Sequence, residues 1–213
     1  MEIKIEQLVK RHGPREILNI PEYHFCGNAI HQISGSNGAG KTTLFEILSL
    51  LDDEYQGSVF FAGSNIKKLA KDGTLVTQVF QKPVMLNRTA RENLMYPLKL
   101  KKVPQGVIEE RLKFYLDYLP LGFLLDQKAT HLSMGEAQKV SLIRGLLMNT
   151  PILLLDEPFS AMDRTSRDDS IKMLLEHQKL NQTTILLISH RELEHPTMKQ
   201  NYLEGGRLHH EIS

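Results

Sequence analysis

The chain has 213 residues, 41% of them hydrophobic, enough for one large domain, or a core with a subdomain, around a substantial interior. Its 26 Lys and Arg against 25 Asp and Glu leave a net charge of +1, which argues against nucleic acid or an anionic membrane as an electrostatically chosen partner. The single cysteine, Cys26, excludes an internal disulfide, residues 1–6 carry no signal-peptide apolar run, and no uncharged apolar stretch approaches the ~20 residues that span a bilayer, so a soluble chain is expected.

Residues 2–9 alternate charged and apolar side chains like a half-buried strand, residues 11–15 predict a turn, and residues 16–18 and 21–27 predict two further short extended pieces. Residues 29–34 form an apolar strand. It runs into Gly35-Ser36-Asn37-Gly38-Ala39-Gly40-Lys41-Thr42-Thr43, which fits the phosphate-loop pattern G-x-x-x-x-G-K-[ST] without a mismatch. Residues 44–51 follow with helical apolar spacing. Strand, glycine loop and helix form the unit that phosphate binding requires. Glycines let backbone N–H groups approach the anion, and the helix start adds unpaired donors and a positive dipole end. In that arrangement Lys41 reaches the terminal phosphates and the Thr42 hydroxyl ligates Mg²⁺.

Residues 57–63 and 74–80 read as strands, the second buried and followed by Gln81. From residue 84 to 132 the pattern turns helical. Thr89 and Glu92 compose a capping box ahead of one helix, and a second covers residues 105–118. Residues 133–147 predict another helix, with Ser133 as cap and Glu136 three residues on. Residues 151–155 form an apolar strand ending at Asp156-Glu157. An amphipathic helix at 164–180, a buried strand at 183–189 ending at His190, and a hairpin at 202–208 complete the chain. Strands alternating with helices predict a parallel sheet covered on both faces, with antiparallel leading strands, and ligands bind beyond the carboxyl ends of such parallel strands.

A carboxylate at the end of a buried strand needs a partner, and for Asp156 a nucleotide-bound Mg²⁺ is a natural one. Glu157, directed elsewhere if the strand continues, could polarise an attacking water. Gln81 could contact Mg²⁺ or orient water, and His190 could hydrogen-bond a terminal phosphate.

In order and spacing these motifs resemble the ATP-binding subunit of ABC transporters over essentially the whole chain. Gly35 to Thr43 is similar to the family's Walker A, residues 152–157 to its Walker B with catalytic Glu157, Gln81 to the Q-loop, residues 160–163 to the D-loop, and His190 to the switch histidine. Leu132-Ser133-Met134-Gly135-Glu136 resembles the signature Leu-Ser-Gly-Gly-Gln. The resemblance implies an α/β P-loop NTPase of the ABC ATPase type: one domain over 1–213, with a RecA-like core and antiparallel β subdomain at 1–83 and 145–213, and an inserted helical subdomain at 84–144. It implies ATP and Mg²⁺ as ligands, the metal held by Thr42, Gln81 and Asp156. It also implies hydrolysis by Glu157 with His190 and Gln81, at the interface of a head-to-tail dimer where Ser133, Gly135 and Glu136 of one copy complete the site of the other. Two positions depart from the family. Met134 replaces the first signature glycine, and His12 stands where an aromatic side chain usually stacks on adenine.

The family's partners would be transmembrane permease subunits and, for an importer, an extracytoplasmic solute-binding protein, with the ATPase in the cytoplasm at the inner face of the membrane. Val84, Met85 and Tyr96 are expected to line a groove for a permease coupling helix. Residues 81–98 look most like small importers, with some similarity to the tungstate and oxyanion group. An ATPase of an exporter or of a lipid or lipoprotein extraction complex would use the same engine. A soluble ATPase of translation or DNA repair would usually carry two fused cassettes or a coiled-coil insertion, and this sequence shows neither.

Overall fold

The computed structural model describes residues 1–69, 74–189, 193 and 195–210. In chain order they form β1 (Ile3–His12), β2 (Arg15–Phe25), β3 (Ile30–Ser34), α1 (Lys41–Leu48), β4 (Gln56–Phe61), β5 (Ser64–Asn65) and β6 (Val76–Val79). There follow α2 (Ala90–Leu100), α3 (Gln105–Tyr118), α4 (Met134–Leu147), β7 (Ile152–Asp156), α5 (Arg164–Asn181), β8 (Thr184–Ile188), β9 (Met198–Glu204) and β10 (Arg207–His210). Among the described residues no helix is long and apolar enough to cross a membrane.

Two sheets organise these elements. The larger runs in the order β10-β9-β3-β8-β7-β6, with β9, β3, β8, β7 and β6 parallel and β10 turned back against β9. Its central strands β7 and β8 are buried at every position. Side chains alternate across a strand, so each strand feeds two cores. Leu153, Leu155, Ile185 and Leu187 join the core formed with α2 to α5. Ile152, Leu154, Leu186 and Ile188 join the core formed with α1 and the second sheet. Continuous apolar runs suit strands covered on both faces.

The smaller sheet, β2-β1-β4-β5, is antiparallel. Here the extended pieces expected at 16–18 and 21–27 prove to be one 11-residue strand, β2, which passes through Pro21. The strand lies at the sheet edge, where a missing N–H interrupts no ladder on the outer side. The expected turn at 11–15 is also shorter, because β1 continues to His12 and pairs it with Arg15. Lys10, almost fully buried, ties this hairpin to the end of α1 through Asp52 at 2.7 Å and the Glu54 carbonyl at 2.8 Å. That pairing anchors the hairpin to the segment that follows α1.

Both expected capping boxes are present. Thr89 accepts from Glu92 N–H before α2, and Ser133 accepts from Glu136 N–H before α4, with each glutamate bonding back to the cap N–H.

Candidate nucleotide-binding site

The loop after β3 is shaped by its glycines. Gly40 precedes α1 at φ 102, a left-handed conformation that a side chain disfavours, and a Cβ there would lie 2.6 Å from Leu18 Cδ2. Helix α1 then begins at Lys41, and its first amide paired to the loop is Leu44 N–H, to the Gly40 carbonyl at 2.8 Å. The N–H groups of Lys41, Thr42 and Thr43 therefore belong to the unpaired first turn, a ready site for anions. The Lys41 ammonium folds back across the loop and donates to the Gly35 and Ser36 carbonyls at 2.7 and 3.0 Å. Its charge is held over the place where the helix dipole is positive.

Beside this loop lies a cleft of about 450 Å³. Asn37, Gly38, Gly40, Lys41, Thr42 and Thr43 form one wall, Gln81, Asp156, Glu157 and Ile188 another, and His12, Arg15 and Ile17 the third. Residues from five separated segments thus converge at the carboxyl ends of β3, β7 and β8. Lys41, Asp156 and Glu157 are buried, while Thr42, Gln81 and His12 are exposed. The Thr42 hydroxyl, Asp156 carboxylate and Gln81 amide make a hard oxygen set of the kind Mg²⁺ prefers.

Glu157 corrects one expectation. The strand does not continue through it: its φ is 48, its N–H donates to the Ile188 carbonyl at 3.0 Å, and the chain turns. The turn places Glu157 on the same cleft as Asp156 instead of the opposite face. A left-handed non-glycine residue carries strain of about 1–3 kcal/mol that its surroundings must hold. The clamp is Gln138 on α4. Its Nε2 donates to the Glu157 carbonyl at 3.2 Å and to Ser160 Oγ at 2.8 Å, and its Oε1 accepts from Ala161 N–H at 2.9 Å.

Gln138 was not singled out by the sequence, although a signal exists. It is a polar residue in register with Ser141, Leu142 and Gly145 on the buried face of α4. Arg15 and Ile17 were also missed; each reaches the cleft only because β2 pairs with β1 around Gly13-Pro14. Gly35, Ser36 and Ala39 sit within the loop but do not line the cleft. His190 lies outside the described residues.

Ser133, Gly135 and Glu136 are not brought to this cleft. They open α4, where the Ser133 hydroxyl donates to Glu136 Oε2 at 2.7 Å and the Ser133 N–H at 2.8 Å. These bonds, the hydroxyl's first, hold the Glu136 carboxyl below its usual range. Met134 at the first position of α4 is 56% exposed and points away from the fold. Gly135 has no such freedom, since a Cβ on it would lie 2.7 Å from the Ala161 carbonyl oxygen.

Residues 20–160 match the family described as ABC transporter. The ATP-binding protein TupC of a tungstate uptake system from Peptoclostridium acidaminophilum is 34% identical, over 98% of this chain and 97% of that protein. The methionine import ATP-binding protein MetN 1 of Salmonella typhi is 32% identical, over 88% of this chain and 58% of its own length. This chain therefore spans nearly all of the first relative and little more than half of the second. Among solved structures, an ATP-binding subunit of an ABC transporter superposes with a TM-score of 0.84 at 21% identity, covering 98% of this chain and 88% of its own. A second, cbiO1 from Clostridium perfringens, gives 0.82 at 24%, covering 97% and 86%. At these identities the structural matches show the fold alone.

Proposed function

This chain belongs to the ABC transporter family, as an ATP-binding subunit with ATPase activity, and from that premise we propose that it drives import of a small solute through partner permease subunits. The observation that carries the mechanism is the convergence of Lys41, Thr42, Gln81, Asp156 and Glu157 on one cleft, with Ser133 to Glu136 outside it.

The loop N–H groups and Lys41 bind the triphosphate, and Lys41 exchanges its bonds to Gly35 and Ser36 for phosphate oxygens. Arg15, Ile17 and His12 border the end of the cleft that takes the base. Thr42, Asp156 and Gln81 would hold Mg²⁺, which when bound would neutralise charge on the phosphates. Glu157 accepts a proton from the attacking water and orients it, with its position fixed by the left-handed turn and Gln138. His190 is assigned to the terminal phosphate from the sequence alone. The signature Ser133, Gly135 and Glu136 of a second copy closes the site from the other side, so the active unit is a head-to-tail dimer. Residues 84–144 form the subdomain that carries this signature.

Kinship with import ATPases favours uptake over export, and the 34% identity to the tungstate relative favours an oxyanion as cargo. The subunit then works at the inner face of the membrane, with a solute-binding protein on the other side. The test is Glu157→Gln. The variant should bind ATP normally, lose turnover by about 10²–10⁴-fold, and accumulate as an ATP-bound dimer in size-exclusion chromatography. Unchanged turnover would remove Glu157 from the reaction.

A further inference from the structure

Met134 opens α4 and is the one exposed side chain among eight methionines, all of them described. Met95, Met173 and Met198 are buried, and Met1, Met85, Met148 and Met162 are partly buried. Met85 and Met162 pack against the helical core, and the Met162 sulfur also accepts from Ser170 Oγ at 3.4 Å. A diffusible oxidant of thioethers therefore meets Met134 before the others. Exposure alone is ordinary on a surface. The fixed root of this side chain and the groups beside it are not.

Ser133 and Glu136 close the first turn of α4 from both sides. Ser133 Oγ accepts from Glu136 N–H at 3.3 Å, and the Glu136 carboxylate accepts from Ser133 N–H at 2.8 Å. Gly135 abuts the Ala161 carbonyl so closely that a Cβ would lie 2.7 Å from its oxygen, so the turn has no room to roll inward. The thioether stays on the outer face whatever its chemical state. Two donors lie beside it: the N–H groups of Met134 and Gly135 belong to the unpaired first turn, and among the described residues neither has a partner. In the head-to-tail dimer proposed above, a second copy covers this face and its nucleotide takes these donors. A thioether suits such a place, being apolar and only a weak acceptor.

We propose that Met134 is a reversible oxidation site that governs closure of the dimer, with the sulfoxide as the open form. The proposal rests on the dimer reading and adds a control to that same face. The oxidant is a peroxide. The sulfur lone pair attacks one peroxide oxygen, the O–O bond breaks, the sulfur is oxidised by two electrons, and the other oxygen leaves as water. In the return step two thiols become a disulfide and the sulfoxide oxygen leaves as water, the reaction of methionine sulfoxide reductases. The S=O group opposes closure in two ways. It is polar and must lose its water when the second copy covers it. Its oxygen also competes with phosphate for the Met134 and Gly135 N–H groups. Two-fold symmetry places two such side chains in one closed dimer, so the penalty is incurred at both. Nucleotide affinity at the Lys41 loop of the separate chain is untouched.

The test uses the full chain with Glu157→Gln, to hold the ATP-bound dimer, and Cys26→Ser, to remove the competing thiol. After hydrogen peroxide treatment, peptide mass spectrometry locates the added oxygen. Analytical ultracentrifugation with ATP reads the dimer dissociation constant, and a fluorescent ATP analogue, titrated below the dimerisation concentration, reads binding to the single chain. Oxygen should appear first on the peptide carrying Met134. The dimer should weaken about hundredfold, roughly tenfold for each covered sulfoxide, with binding to the single chain unchanged. Methionine sulfoxide reductase with a dithiol should restore the dimer. Met134→Leu, compared with its own untreated sample, should keep its dimer through the same treatment. Equal weakening of treated Met134→Leu overturns the proposal, as does an oxidised Met134 with a native dimer constant, or oxygen found first on other methionines. If Met134→Leu forms no dimer untreated, the reductase decides: a loss that it does not reverse overturns the proposal. A chain with Met134 intact that stays monomeric with ATP before any peroxide overturns the dimer reading and the proposal together.

Discussion

Replacing Gly135 by alanine perturbs one contact whose consequences are calculable. The new Cβ would stand 2.7 Å from the Ala161 carbonyl oxygen, a backbone atom, and must retreat to at least 3.4 Å for ordinary contact. Either α4 or the 157–161 segment moves. Such a shift stretches the bond from Ala161 N–H to Gln138 Oε1, now 2.9 Å, and strains the bonds from Gln138 Nε2 to Glu157 and Ser160. Overpacking costs about 1–3 kcal/mol, and one weakened buried hydrogen bond adds about 1 kcal/mol. For a chain of this length the sum, roughly 3 kcal/mol, lowers Tm by about 10 °C. Because the same clamp holds Glu157 in its left-handed turn, ATP turnover should fall while ATP affinity at the Lys41 loop is kept. Differential scanning calorimetry and steady-state hydrolysis, each with Met134→Gly as the neighbouring control, read the two effects. Met134 is exposed, so its replacement removes no packing and costs only helix propensity, about 0.5–1 kcal/mol. A Gly135→Ala protein with native Tm and native turnover would refute the clamp.

Two further outcomes follow from buried titratable groups. Lys41→Ala should lower ATP affinity by about tenfold or more, as measured by calorimetric titration, because charge-assisted bonds of this type contribute about 1.5–3 kcal/mol; unchanged affinity would exclude Lys41 from phosphate binding. His177 is buried between Tyr115 and Thr183, bonded at 2.7 and 3.2 Å, and burial holds its pKa near 4 instead of 6.5. The unfolded chain therefore takes the proton first on acidification. The stability His177 contributes is present above 6.5, declines between 6.5 and 4, and is level below. From pH 7 to 5 this amounts to about 2 kcal/mol, so urea denaturation at the two pH values should show a drop smaller by that amount in His177→Gln. An equal drop in both proteins would refute it.

The sequence alone determined the parts whose hydrogen bonds close within a few residues. The glycine loop before Lys41 and the boxes Thr89–Glu92 and Ser133–Glu136 are local: donor and acceptor lie three residues apart in the boxes and five or six in the Lys41 bonds, so spacing dictates the contact. The apolar runs that became β7 and β8 were legible for the same reason, since burial on both faces demands every position be apolar.

What only the tertiary structure decided are contacts between distant residues. Gln138 grips Glu157 across 19 positions, and this grip, together with the Ile188 carbonyl, turns Glu157 onto the cleft against its own backbone preference. Arg15 and Ile17 reach the nucleotide cleft through strand pairing, and Pro21 is tolerated because β2 lies at an edge. Of the surface expected from Val84, Met85 and Tyr96, Val84 and Tyr96 border a groove beside β6 while Met85 turns inward against the core, with the Val84 and Leu86 backbone tied to Arg144 and Asn93. Local bonds are written in neighbouring residues, whereas these depend on which surfaces the chain brings together, and no spacing within the sequence specifies that.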